Sequence, residues 1–170
     1  MGGAGLFLEG LPLHALGHSS VADEIKVAVV GCGGRGTGAA IQALSTKQNV
    51  KLVAMADAFA DRIAESVKAI NKEIADSGMD KSKFSVAEEN KFIGFDGYKK
   101  AIALADVVIL ATPPGFRPIH FAEAIAQNKH VFMEKPVATV AIGIRSVLET
   151  AEKAKAKKLN VVVGLQRHYQ

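Results

Sequence analysis

The segment from Gly31 to Gly36 constrains the fold of this chain more than any other. It spells Gly-Cys-Gly-Gly-Arg-Gly, which fits the pattern G-x-G-x-x-G. An apolar, β-branched run, residues 25–30, comes directly before it and predicts a buried strand. Helix-forming residues follow from 36 to 45 on one apolar face. A glycine-rich turn between a strand and a helix is typical of the first unit of a dinucleotide-binding fold.

The rest of the chain continues this alternation of strand-like and helix-like segments. Further strands are predicted at residues 50–56, 91–94, 106–111, 130–133 and 160–164, and further helices at 58–75, 98–104, 116–127 and 141–157. Strands that alternate with helices imply right-handed crossovers and a parallel sheet covered on both faces. The sequence therefore predicts an α/β, doubly wound Rossmann fold over residues 23–170. Residues 76–90 are polar and are predicted to form an irregular surface insertion.

The glycines of the loop each have a physical role in such a fold. Gly31 permits the tight turn after the strand, and Gly33 lets the main chain approach a pyrophosphate. Gly36 permits close packing of the helix on the strand, and Gly34 is a further candidate cofactor-binding residue of the loop. The free N–H groups at the helix N-terminus then face the phosphates. The alternative is a glycine-rich turn that binds no ligand.

Asp57 lies at the end of the second predicted strand, about 20 residues after Gly36, where an acid is expected to bind the adenine ribose 2′-OH. Its charge would repel a 2′-phosphate, so the predicted cofactor is NAD. Arg62 leaves NADP possible, because it lies one turn into the next helix, although it can equally be a solvated helix residue. Arg35 is predicted to contact the pyrophosphate, and its alternative is an ordinary surface arginine.

Two polar clusters follow later strands. Thr112-Pro113-Pro114 comes after the fourth strand, and Glu134-Lys135-Pro136 comes after the fifth. Ligands of doubly wound sheets bind beyond the carboxyl ends of the strands. A lysine held between an acid and a proline beside a bound dinucleotide is a candidate proton donor or acceptor. The alternative for Lys135 is a surface turn with an ordinary ion pair.

Together these segments resemble the N-terminal domain of the Gfo/Idh/MocA oxidoreductase family, from about Lys26 to the end of the chain. The segments that carry the resemblance are residues 29–36 (VVGCGGRG), 111–114 (ATPP) with His120 downstream, 134–136 (EKP) and 163–167 (VGLQR). The resemblance implies a domain of an enzyme that oxidises or reduces a hydroxyl-bearing carbon of a sugar, cyclitol or related polyol. It also implies that Lys135 lies in the active site near the nicotinamide and the substrate. Further residues that it places near the cofactor are Thr112, Pro113, His120, Glu134 and Gln166; for His120, a packing role on its helix is the alternative.

Members of that family continue into a second α/β domain, which is expected to be absent from residues 1–170. That domain supplies most substrate contacts, and members usually assemble into homo-oligomers through it. Some relatives cleave glycosides with tightly held NAD, so an NAD-dependent glycoside-cleaving enzyme is one alternative function. A non-enzymatic NAD-binding module is another, although such a module would have no need of Lys135.

Composition narrows the remaining classes of function. The formal net charge is +4, but four lysines of the excess lie together at the end of one predicted helix, and the chain has no Trp and two Tyr. Basic residues interleaved with aromatics, as nucleic-acid binding requires, are therefore not present. No apolar run is long enough to span a bilayer, and the single cysteine cannot form an internal disulfide. Residues 1–22 contain no Lys or Arg and are interpreted either as a tail or as the remnant of an export signal. The first interpretation goes with a cytoplasmic protein, and the second would place the protein in the periplasm.

Overall fold

The computed structural model describes residues 24–165, so the segment 1–22 and Gln166 lie outside the described residues. Within this range six strands alternate with five α-helices, and every predicted element is present, with ends that differ by no more than two residues. The elements are β1 (Ile25–Val30), α1 (Gly34–Leu44), β2 (Val50–Asp57), α2 (Ala60–Ser77), β3 (Lys91–Ile93), α3 (Gly97–Ala103), β4 (Val107–Leu110), α4 (Arg117–Ala126), β5 (His130–Met133), α5 (Ala141–Ala156) and β6 (Val161–Val163).

The six strands form one parallel sheet in the order β3-β2-β1-β4-β5-β6. Strands β1 to β3 are added toward one edge of the sheet, and β4 to β6 toward the other edge. The strand order therefore reverses between β1 and β4, so the carboxyl ends of these two strands border a crevice. The predicted doubly wound Rossmann fold is confirmed. No helix among residues 24–165 is both long and apolar enough to cross a membrane.

The sheet is covered by helices on both faces. Val27 and Val29 of β1 belong to a core cluster with residues of α1 and α2. Ala28 and Val30 belong to the cluster on the opposite face, with residues of α3, α4 and α5. Successive side chains of a strand point to opposite faces, and a strand buried on both faces is apolar throughout. This is why β1 has no polar residue in its last four positions.

The segment between α2 and β3 differs from the prediction. It was expected to be an irregular surface insertion, but it contains two short 3₁₀ helices, Lys81–Lys83 and Glu88–Asn90. Phe84 forms a parallel bridge with Leu52 of β2, and Val86 is only 9% exposed in the core cluster beneath α1 and α2. The expectation of a surface segment was therefore wrong for these two apolar residues. Isolated apolar residues within a polar stretch carry no periodic signal, although they can anchor it to the core.

Candidate dinucleotide-binding site

A cavity of about 710 Å³ opens beyond the carboxyl ends of β1, β2, β4 and β5. This volume is within the range of small-molecule and cofactor sites. Loop residues form most of its lining, and ten of the residues predicted from the sequence are among them: Gly31, Gly33, Gly34, Arg35, Asp57, Thr112, Pro113, His120, Glu134 and Lys135. Gly36 is buried behind the loop and does not line the cavity. The folded chain therefore brings residues from four separate loops to one place.

The glycine loop leaves room where a ligand would approach and none where the helix packs. A Cβ atom on Gly33 or Gly34 would meet nothing within 4 Å, so the main chain is open to the cavity. A Cβ atom on Gly36 would lie 1.8 Å from the carbonyl oxygen of Gly31. Gly31 itself has a φ of 94°, and a Cβ there would lie 2.6 Å from the amide nitrogen of Thr112. Helix α1 starts at Gly34, which lines the cavity, so the positive end of the helix lies at the cavity. This end has no side-chain cap and no acid in its first turn to offset the positive charge.

Asp57 is held at the cavity by two main-chain amides. The Cys32 amide donates to Oδ2 at 2.7 Å, and the Phe59 amide donates to Oδ1 at 3.1 Å. Each oxygen of an ionised carboxylate can accept more than one hydrogen bond, so both retain capacity for a ligand hydroxyl. The carboxylate thus lies fixed at the end of β2, beside the glycine loop.

Cys32 fills space beneath this loop. Its thiol is 2% exposed and donates to the carbonyl oxygen of Ala56 at 3.5 Å. Burial, reinforced by the charge of Asp57, raises the pKa of the Cys32 thiol to about 12. The thiol therefore remains protonated near neutral pH, as expected for a packing residue and not for a nucleophile.

Arg35 and Glu134 form an ion pair that crosses the cavity from the glycine loop to the end of β5. Their N–O distance is 2.6 Å; the Arg35 side chain is 51% exposed, whereas that of Glu134 is 5% exposed. The hydrogen bond from Arg35 to Glu134 raises the pKa of the Arg35 guanidinium. The sequence predicted a phosphate contact for Arg35, and the family resemblance placed Glu134 near the cofactor, but neither predicted that the two side chains bind each other. Gly164 leaves space for the pair, since a Cβ there would lie 2.8 Å from Oε1 of Glu134.

Lys135 lies exposed at the mouth of the cavity, one residue after Glu134. Its peptide bond to Pro136 is cis. Among residues 24–165 its ammonium group has no hydrogen-bond or ion-pair partner, whereas the carboxylate of Glu134, the residue before it, is paired with Arg35. No residue in the described part of the chain therefore competes with a molecule in the cavity for this ammonium group.

His120 lines the cavity and also packs inside the fold, and its position near a cofactor stays a prediction. Its Nδ1 lies 3.1 Å from Oγ1 of Thr112, and its ring lies 4.2 Å from the ring of Tyr98. Burial, together with the nearby charge of Arg117, lowers the pKa of His120 to about 4. The imidazole is therefore neutral near pH 7.

Arg117 is a site residue that the sequence interpretation missed. It is 2% exposed at the first position of α4, and its guanidinium donates to the main-chain carbonyls of Thr112, Glu134 and Pro136. Burial lowers the pKa of Arg117, and the charge of Glu134 opposes this shift. One signal in the sequence could have identified it. A cation at the N-terminus of a helix opposes the helix dipole, so an arginine there needs partners from other elements.

Three exposed phenylalanines at the rim of the cavity were also missed. Phe59, Phe95 and Phe116 follow or precede the ends of different elements, and the rings of Phe95 and Phe116 stack with centroids 5.9 Å apart. Exposed aromatic side chains grouped around a cavity commonly mark a binding surface for a flat apolar group.

No group of three or more His, Cys, Asp or Glu in the described part of the chain could hold a metal ion.

Comparison with known families decides the identity of this fold. The family model described as "Oxidoreductase family, NAD-binding Rossmann fold" (GFO_IDH_MocA) matches residues 25–164. The chain belongs to the Gfo/Idh/MocA oxidoreductase family. The resemblance inferred from the glycine loop and the Glu134-Lys135-Pro136 motif is confirmed, and the family description agrees with the predicted cofactor, NAD.

Individual relatives are similar over most of this chain but are longer. An inositol 2-dehydrogenase of Burkholderia cenocepacia is 32% identical over 149 residues, which are 85% of this chain and 38% of the relative. A glycosyl hydrolase family 109 protein of a Shewanella species is 28% identical over 132 residues, which are 76% of this chain and 26% of the relative. The chain thus spans between about a quarter and two fifths of the curated relatives it matches.

Solved structures share the fold. The scyllo-inositol dehydrogenase of Lactobacillus casei, solved with NAD(H) and scyllo-inositol, has a TM-score of 0.63 and 21% identity over 87% of this chain and 38% of its own. The myo-inositol dehydrogenase of the same organism, solved with NAD(H) and myo-inositol, has a TM-score of 0.65 and 18% identity over the same shares.

Proposed function

We propose that this chain is the NAD-binding domain of an oxidoreductase that acts on the CH–OH group of a polyol, with cyclitols as the first substrates to test. The observation that carries the proposal is the placement of Asp57 and Lys135 in one cavity, at the ends of strands on either side of the switch point. An acid for the adenine ribose and a base for a substrate hydroxyl are the two groups that such a reaction requires at opposite ends of the dinucleotide. The 32% identity to an inositol 2-dehydrogenase supports the substrate class.

The residues present fit the shape and charge of a dinucleotide. The open main chain at Gly33 and Gly34 and the positive end of α1 would receive the pyrophosphate. Asp57 would accept hydrogen bonds from the ribose hydroxyls at the adenine end, while Phe59 and Phe95 offer rings against which adenine can pack. The segment from Thr112 to Pro113 would line the middle of the cofactor.

The charge of Asp57 supports NAD over NADP. A carboxylate held by two amides cannot turn away from the ribose without losing both hydrogen bonds. Arg62, the cation that left NADP open, lies 3.6 Å from Glu65 and is exposed. A 2′-phosphate would therefore meet a fixed negative charge and a cation that already has a partner.

Lys135 is the proposed acid–base residue. NAD, when bound, would supply the nicotinamide that accepts a hydride from the substrate carbon. The amino group of Lys135, which has no partner among residues 24–165, can hydrogen-bond to the substrate hydroxyl and, after releasing a proton to solvent, can accept the hydroxyl proton as hydride leaves the carbon. His120 is neutral and hydrogen-bonded to Thr112, so it supports the loop beside the cofactor and adds no charge there.

Titration calorimetry of the chain with NAD and with NADP tests the binding part of this proposal. Tighter binding of NAD is expected, and saturating NAD, at about a hundred times its dissociation constant, should stabilise the chain by about 2.7 kcal/mol. Tighter binding of NADP would remove Asp57 from its role.

The reaction part is tested in a full-length protein that joins this domain to the second, substrate-binding domain of its family, by adding myo- and scyllo-inositol with NAD and following the absorbance of NADH. The comparison variant is Lys135→Met, which removes the ammonium and retains most of the side-chain length. We expect the variant to bind NAD normally and to lose roughly a hundredfold or more in turnover. NAD binding by that full-length protein without NADH formation from any hydroxyl compound would instead identify a non-enzymatic NAD-binding module.

A second candidate function is glycoside cleavage with no net change in the cofactor. The 28% identity to a glycosyl hydrolase family 109 protein favours glycoside cleavage over a non-enzymatic NAD-binding role, although the match covers only 26% of that relative. Release of an aryl group from nitrophenyl glycosides in the presence of NAD, without accumulation of NADH, would support this candidate.

Assembly into a homo-oligomer stays a prediction.

A further inference from the structure

Arg117 is a buried cation in an unusual position. It occupies the first residue of α4, is followed by Pro118, and is only 2% exposed. The N-terminus of a helix carries partial positive charge, so an arginine there is repelled by its own helix. It takes part in none of the ion pairs formed by residues 24–165. Its retention in this position requires other favourable contacts.

Those contacts join the two loops that border the cavity. Nη2 donates to the carbonyl of Thr112, which follows β4. Nη1 donates to the carbonyl of Glu134, and also to that of Pro136 at 2.5 Å, both of which follow β5. One planar group therefore sets the spacing between the Thr112–Pro113 segment and the Glu134-Lys135-Pro136 motif. Lys135 itself lies between the two residues of the second loop whose carbonyls Arg117 holds.

A lysine could not reproduce this arrangement. The guanidinium presents its donors in a rigid plane, whereas an ammonium is a single point charge on a flexible stem. The Nε of Arg117 has no hydrogen-bond partner in the described part of the chain, so the terminal nitrogens provide all of its contacts. The contacts are thus specific to the forked end of the side chain.

We propose that Arg117 is a positioning residue for the nicotinamide half of the cofactor site. By binding the carbonyls of Thr112, Glu134 and Pro136, it fixes the two loops that carry the motif of Lys135. This inference rests on the proposed function, because it assigns the adenine half to the side of Asp57. In a doubly wound sheet each half binds one nucleotide, so the loops after β4 and β5 belong to the half opposite Asp57.

This location predicts a selective effect on binding. ADP occupies only the adenine half and the pyrophosphate position, whereas NAD also occupies the half bordered by the Arg117 loops. Loss of Arg117 should therefore weaken NAD and leave ADP nearly unchanged. A general loss of stability would weaken both ligands by the same factor, so the ratio of the two affinities separates positioning from a merely structural role.

The experiment measures the affinities of NAD and ADP by titration calorimetry for the wild-type chain, Arg117→Met and Arg117→Lys. The matched control is Arg145→Met, which removes an exposed arginine from α5 by the same substitution. We expect both Arg117 variants to lose about tenfold or more in NAD affinity and less than about twofold in ADP affinity. Arg145→Met should leave both affinities unchanged.

Folding of each variant is verified by circular dichroism before titration. If Arg117→Met does not fold, Arg117→Lys supplies the ratio, since it preserves the charge and most of the stem. An equal loss of NAD and ADP affinity, or no loss in either variant, would overturn the positioning role while the proposed function stands. A wild-type chain that binds neither nucleotide would overturn the proposed function, and the positioning role with it.

Discussion

Replacing Gly36 by alanine should destabilise the chain, whereas the same replacement two residues later should stabilise it. A Cβ on Gly36 would lie 1.8 Å from the Gly31 carbonyl oxygen, 3.0 Å from its carbon and 3.2 Å from the Ala111 Cβ. The first two atoms are main chain, so α1 or the glycine turn would have to shift. Overpacking of this kind costs about 1–3 kcal/mol, and the steep contact places Gly36→Ala at the upper end. Gly38 lies in the same helix, and a Cβ there would meet nothing within 4 Å.

The two variants form a matched pair, because each adds one methyl group to the same helix. Gly38→Ala should gain about 0.5–1 kcal/mol from the better helix propensity of alanine. Urea denaturation of both variants should therefore give unfolding free energies that differ by about 3.5–4 kcal/mol. NAD titration should also show weaker binding to Gly36→Ala only, since the turn that faces the pyrophosphate has moved. Equal stability of the two variants would refute the packing argument for Gly36.

Two further predictions concern the charges at the cavity. Asp57→Ala should weaken NAD binding by about tenfold or more, because charge-assisted hydrogen bonds are lost, and should bring the affinities for NAD and NADP closer together. Titration calorimetry with both cofactors measures the two affinities. An unchanged ratio of NAD affinity to NADP affinity would remove Asp57 from the ribose site. His120 is held neutral with a pKa of about 4, against 6.5 when unfolded, so the unfolded chain binds more protons between these values and stability falls as the pH falls. Between about pH 7 and pH 5 the wild type should lose about 2 kcal/mol of its free energy of unfolding through His120. In urea denaturation, this free energy should therefore fall more steeply with pH for the wild type than for His120→Gln. Parallel declines in the two proteins would contradict the buried neutral state of His120.

The fold was predictable because its signals are local. The apolar runs of β1 and β5, the helical spacing of apolar residues in α2 and the glycine turn each depend on fewer than about 20 neighbouring residues. The ends of the elements were less certain, because helix termini fray and different criteria place them one or two residues apart. The anchoring of Phe84 and Val86 escaped prediction, since it depends on where β2 passes beneath that segment.

The candidate site was predictable as a list of residues but not as a set of contacts. Asp57 and the glycines could be placed because the position of a strand end follows from the strand itself. The pairing of Arg35 with Glu134 joins residues 99 positions apart, and no local pattern specifies it. The three carbonyls bound by Arg117 are main-chain groups, which every residue possesses, so the sequence does not mark them. The role of Gln166 stays a prediction.

The burial of Cys32 has a practical consequence for spectroscopy. It is the one cysteine in the sequence, and a thiol that is 2% exposed with a pKa of about 12 reacts very slowly with maleimides and related reagents. A cysteine introduced at an exposed position such as Lys72 of α2 would then be labelled selectively without removal of the native one. Fluorophores or spin labels could therefore be attached at chosen points around the cavity to follow ligand-dependent movement in the otherwise unaltered sequence.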